Sequence, residues 1–226
     1  MFAADYRRIA REKLQNKWPI AIGIGMLASI LGGLLIGNDF FAQLEFNYKN
    51  EDAKDAGEYL ITLFASHGLT IGITSMLNLV HFILGGVIQL GYAKFLLKQH
   101  DQQDPQANDL FSYFDHFGTG FCQLLLRNIY TALWSLLFVI PGIVASYRYA
   151  MTPYILAENP ELTASEAIYI SKEMMYGHKW ELFCLDMSFF GWYLLCGLTG
   201  NLGYIALNPY TNAARTVFYR QLQANR

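Results

Sequence analysis

The chain has 226 residues, enough for one unit of several packed helices. Apolar residues make up 54% and charged residues 15%, where a soluble domain carries about 25% charged residues; that is too few to cover a water-facing surface. A formal net charge of −2, with no basic tract, argues against a nucleic-acid partner.

Residues 1–17 form a basic lead, with Arg7, Arg8, Arg11, Lys13 and Lys17 against two acids. By the positive-inside rule this places the N-terminus in the cytoplasm. Trp18–Gly37 follows, twenty residues without a charge, about the length that crosses a 30 Å hydrocarbon core as helix. Its apolar run is too long for a secretory signal and no A-x-A-type cleavage site follows, so it reads as a retained first helix. Ala21, Gly25, Ser29, Gly33 and Gly37 recur every fourth position and share one face. Another backbone can approach closely there, either a second copy of the chain or a neighbouring helix.

Residues 38–68 carry six acids beside Lys49 and Lys54, as an external loop would. Leu69–Ala93 is a second uncharged block, and Lys94 and Lys98 after it mark a return to the inside, where 94–120 reads as a cytoplasmic loop. Phe and Tyr crowd 109–117, as in an interfacial belt. Asn128–Tyr147 is the third block, interrupted by Pro141-Gly142. Proline removes a backbone donor and clashes with the preceding turn, so either a kinked helix or a tight hairpin is expected at that pair. Residues 158–180 form a cytoplasmic stretch in which Thr163 and Glu166 make a capping box and Gly177 suits a C-terminal cap. The helix between has a narrow apolar stripe and could dock a protein partner, lie in the interface or pack on the bundle's own face. Leu182–Ala214 has one acid or base, Asp186, in thirty-three residues. Its glycines and Asn208-Pro209 divide it into helices near 181–197 and 200–217. Residues 218–226 form a basic cytoplasmic tail.

The expected fold is therefore all-α: a polytopic transmembrane bundle of six spans, some short or broken, with a cytoplasmic amphipathic helix. Five spans would follow from a kink at Pro141, but two cytoplasmic termini require an even number. Charges inside the apolar blocks are the candidate binding residues, because an ionisable group in lipid is costly and usually paired. They are Arg127, Arg148 and Asp186. Arg127 could snorkel to the headgroups or pair with Asp186.

No Walker, G-x-S-x-G or H-E-x-x-H pattern occurs, and the five histidines and three cysteines lack metal-ligand spacing. No catalytic residue, cofactor or metal is expected. Two functions remain in view: a non-enzymatic accessory, regulatory or assembly module, and a small oligomeric transporter or lipid-handling protein, the latter because interrupted helices often line sites.

The segment Leu133–Leu195 holds Trp134, Pro141-Gly142-Ile143, Met151–Glu158, Ser171-Lys172-Glu173-Met174-Met175, Gly177–Glu181 and Gly191–Leu195. Asn208–Leu222 follows it. Together these resemble the bacterial membrane family called domain of unknown function 975. The P-G-I turn followed by an amphipathic helix ending in Gly is more distantly similar to the membrane region fused to some glycerophosphodiester phosphodiesterases. This chain has no catalytic barrel, so that activity is not implied. The first resemblance implies a bacterial cytoplasmic membrane and supplies no activity.

Overall fold

The computed structural model describes residues 2–15, 17–31, 56–198 and 203–225. Among them all regular structure is helical: α1 (Ala3–Leu14), α2 (Trp18–Leu31), α3 (Ala56–His100), α4 (Phe117–Leu137), α5 (Val139–Arg148), α6 (Thr152–Glu158), α7 (Ala164–Met174), α8 (Lys179–Met187), α9 (Phe190–Leu198) and α10 (Tyr204–Ala224). Two short 3-10 turns, Ala107–Phe111 and Phe114–His116, join α3 to α4.

The basic lead is itself a helix. Tyr6, Ala10 and Leu14, spaced by four, form a buried stripe. That stripe lies on α10: Tyr6 meets Phe218 edge-on at 5.4 Å, and the Tyr210 hydroxyl donates to the Arg7 carbonyl at 3.1 Å. Burial, then the Glu181 and Asp5 carboxylates, push the Tyr6 phenol up to about 12.

Helix α3 is longer than the apolar block that announced it. It begins at Ala56, so 56–68 is helix where a loop was expected, while 38–55 lies outside the described residues. It also runs on to His100, and α4 begins at Phe117, so the ends of the expected 94–120 loop are helical. The 218–226 tail continues α10 as far as Ala224.

The third block is a hairpin, not a kinked helix. Phe138 is extended (φ −163°, ψ 152°) and separates α4 from α5. The two helices run back antiparallel: a Cβ on Gly142 would lie 2.0 Å from Ser135 Oγ, and Tyr149 meets Tyr130 at 5.9 Å. The turn thus falls three residues before Pro141. Pro141 sits in the first turn of α5, where a missing backbone donor costs nothing. Helices α9 and α10 close in the same manner. A Cβ on Gly203 would lie 2.5 Å from Cys196 Sγ, and Tyr204 donates to the Tyr193 carbonyl.

Two zones result. The C-terminal half of α3, with α1, α6, α7, α8 and most of α10, forms a base with a conventional buried core: Val87, Phe95, Met151, Leu156, Leu182, Leu185 and Phe218 are all almost inaccessible. Beyond it α2, the upstream part of α3 and the two hairpins present large apolar side chains outward. Leu136 is 84% exposed, Phe138 73% and Ile140 74%, and Met76, Leu79, Trp192 and Leu194 are all more than half exposed.

Six complete spans are not what the described helices display. By length and composition one helical segment is sufficient to cross a membrane, Asn78–His100; Trp18–Ser29 is apolar but shorter. The all-α class stands.

Helix α7 starts where its capping box puts it. Thr163 is the N-cap, its hydroxyl accepts from the Glu166 amide, and the Glu166 carboxylate accepts from the Thr163 amide at 2.8 Å. The Thr163 hydroxyl and backbone N–H hold the Glu166 carboxyl below its ordinary range. Its contribution is therefore fully present above the usual carboxylate range and lost as pH falls through that depressed value. Thr163→Ala is expected to cost about 1 kcal/mol and to flatten the acid limb of the stability curve. A thermal-denaturation series across pH 3–7 measures both. Gly177, at φ +83°, takes the left-handed conformation beyond the helix.

Candidate functional site

The three candidate charges lie on three different helices, α4, α5 and α8. Asp186 lies near the end of α8 and Arg215 in the middle of α10. Arg215 binds it side-on through two bonds, Nε to Oδ1 at 3.1 Å and Nη2 to Oδ2 at 2.8 Å. The Tyr147 phenol, from the last turn of α5, lies near the same carboxylate. Asp186 is thereby paired with a guanidinium, and its partner is Arg215 in place of the expected Arg127.

Arg127 occupies the middle of α4 and is half-buried. Among the described residues no carboxylate pairs with it, and the formal charge that acts on it is the like-charged Arg215. Arg148 is the last residue of α5. Its carbonyl accepts from the Ser171 hydroxyl at 3.0 Å, and its guanidinium lies 6.0 Å from the centre of the Trp134 ring. The three predicted residues are therefore not one site: Asp186 is an ion-pair partner, Arg148 is held over an aromatic ring, and Arg127 is left over.

Further toward the C-terminus a second network ties the base together. Arg220 pairs with both Glu158 and Asp101, and the Tyr219 hydroxyl donates to Glu158 at 2.6 Å. Burial works against the charge on Arg220, but the two carboxylates outweigh it and raise the guanidinium above its ordinary value. Beside this network, Tyr113 donates to the Ala157 carbonyl. Burial, then Glu158, Glu161 and Asp109, bring its phenol up to about 12. These groups clamp α10 to α6 and to the end of α3, and they point to no reaction.

The small-residue face of α2 is occupied by the chain itself. A Cβ on Gly25 would lie 3.2 Å from the Tyr92 hydroxyl and 3.4 Å from Pro209, and Ser29 is buried, accepting from Asn208 Nδ2 at 2.6 Å. Gly33 and Gly37 lie outside the described residues. The stripe of α7 is likewise turned inward: Ala164, Ala167, Ile168, Ser171 and Met174 are buried, and the Ser171 hydroxyl accepts from the Met151 amide.

Sequence reasoning missed Arg215 and Tyr147. Arg215 directly follows the Leu182–Ala214 run, where a charge reads as the flank of the last span. Tyr147 carries no formal charge and gave no signal.

Residues 136–226 match the family model described as protein of unknown function (DUF975). That segment is similar to the DUF975 family. It contains Tyr147, Arg148, Asp186 and Arg215, so the ion pair lies wholly within the DUF975 match, while Arg127 precedes it. No curated protein and no solved structure matches the chain. The more distant likeness to the membrane region of glycerophosphodiester phosphodiesterases is not shown.

Proposed function

We propose that the chain is a multi-pass protein of the bacterial cytoplasmic membrane, acting as a non-enzymatic accessory, regulatory or assembly module. The supporting observation is the apolar zone. Each large apolar side chain prefers a non-aqueous medium by about 1.5–3 kcal/mol, and a contiguous patch of them marks a membrane or partner surface. Six segments contribute to it: α2, α3 and the two arms of each hairpin. Helix α5 has ten residues and α9 has nine, so at 1.5 Å per residue each reaches about 15 Å, half of a hydrocarbon core. In this reading α2 and α3 cross, while the hairpins enter and leave on the cytoplasmic side. The parity of six segments is preserved, with both termini and the base inside. Partners would then meet the base, including the outward face of the 163–177 helix, where Tyr169 and Tyr176 are exposed.

The full chain is expected to stay with membranes through an alkaline wash, and a cysteine replacing Phe138 at the hairpin tip to resist an impermeant maleimide from either side. Recovery of the chain in the soluble fraction would end the membrane reading. Mild-detergent purification from native membranes tests the accessory role, which fails if the chain is recovered free of other proteins. A second reading, lipid handling, is favoured by one observation, the uncompensated Arg127.

A further inference from the structure

A guanidinium taken partly out of water needs an anion, because desolvation is offset only by pairing and hydrogen bonds. Arg127 has none within the described chain. Its charged neighbour Arg215 repels it, and the Asp186 carboxylate is already engaged by Arg215. The side-on pairing uses Nε and Nη2 of Arg215 and leaves Nη1 without a partner among the described residues. Arg127, Arg215 and Asp186 thus carry one net positive charge at the level where apolar surface begins. Immediately beyond Arg127, α4 exposes Ile129, Tyr130 and Leu133. An unpaired cation capping an apolar strip matches a phosphate group attached to hydrocarbon chains.

We propose that Arg127, with the free edge of Arg215, holds the phosphate of an anionic phospholipid of the cytoplasmic leaflet, whose chains lie along the exposed Ile129–Leu133 side of the α4–α5 hairpin. The assignment rests on the membrane reading above. Guanidinium donors suit phosphate oxygens because they form paired, charge-assisted bonds. Basic pockets between membrane helices on the cytoplasmic side take anionic headgroups by the same chemistry. Asp186 then serves to fix the direction of Arg215.

The test uses the full chain in a phosphate-free maltoside detergent, with binding followed by native mass spectrometry and thermal shift. Phosphatidylglycerol supplies phosphate and chains, diacylglycerol chains alone, and inorganic phosphate the anion alone. Phosphatidylglycerol is expected to bind saturably and at least tenfold more tightly than either of the others. Arg127→Gln should weaken it about tenfold or more, and Lys172→Gln, on the exposed side of α7, should leave it within twofold. Equal binding by Arg127→Gln and the unaltered chain overturns the proposal. So does diacylglycerol binding as well as phosphatidylglycerol, while tight binding of inorganic phosphate alone removes the lipid from the assignment. If Arg127→Gln does not fold, the three arms on the unaltered chain still decide. A chain that stays in washed membranes but binds phosphatidylglycerol no better after all this loses only the phosphate site; a chain washed free loses the membrane reading itself.

Discussion

Gly91→Ala is expected to abolish folding or to cost about 3 kcal/mol or more, at the upper end of what overpacking does to a core. Helix α3 passes the first 3-10 turn so closely that a Cβ at residue 91 would lie 2.0 Å from the Leu110 carbonyl oxygen, 2.5 Å from its carbon and 2.8 Å from its Cα. Those are backbone atoms, so no rotamer change relieves the clash; the whole segment must move. That segment is fixed from below, because Lys98 pairs with Asp109 and the Asp109 carboxylate also accepts from the Gln106 amide at 2.9 Å. Gly86 has the same relation to α4, with its virtual Cβ 2.1 Å from the Gly120 carbonyl, and Gly86→Ala should behave alike. Gly23 is the matched control. It is also helical, but nothing lies within 4 Å of its Cβ position, so Gly23→Ala should be neutral or stabilising by up to about 1 kcal/mol. Folded yield and melting temperature in detergent read all three. A Gly91→Ala protein as stable as Gly23→Ala would mean that α3 does not pack on the Leu110 turn.

The close approaches at Gly86 and Gly91 were invisible in the sequence for a physical reason. Both glycines sit in an apolar run, where glycine is as compatible with a lipid-facing helix as with a contact, and the partners Gly120 and Leu110 lie outside that run. Local signals fared better. The start of α2 at Trp18 follows from the end of the charges at Lys17, and the α7 N-terminus follows from Thr163 and Glu166, whose hydrogen bonds are three residues apart. Helix α1 was hidden because its buried stripe is only Tyr6, Ala10 and Leu14 among many charges. The turn at Phe138 was misplaced to Pro141-Gly142 because proline and glycine punctuate chains. Here the proline begins a helix and the glycine lets it lie against Ser135. The ion pair was half legible: Asp186 stood out as a lone acid in an apolar block, but its partner's identity depends on how α8 and α10 pack, which no local pattern encodes.

That pair carries the second large effect. Asp186→Asn should destabilise the chain by about 2 kcal/mol or more. The reference cost of orphaning one member of a fully buried pair is about 3–5 kcal/mol, and it is reduced here because the Arg215 side chain is 42% exposed. What makes the loss large is the neighbourhood. Without the carboxylate, the repulsion between Arg215 and Arg127 loses the counter-charge paired with Arg215. Arg215→Gln should cost less, since it also removes the repulsion on Arg127 and the glutamine amide can still donate to Asp186. The double variant Asp186→Asn, Arg215→Gln removes both charges and should recover at least about 1 kcal/mol relative to the sum of the single changes, the signature of a direct pair. Melting temperatures of the four proteins in one detergent give that coupling. If the two single changes simply add, Asp186 and Arg215 act independently and the pairing does not hold α8 to α10. Strong coupling with a folded double variant makes the pair a fastener, and a transport or lipid-handling role for Asp186 would then have to show itself as activity lost in a double variant that still folds.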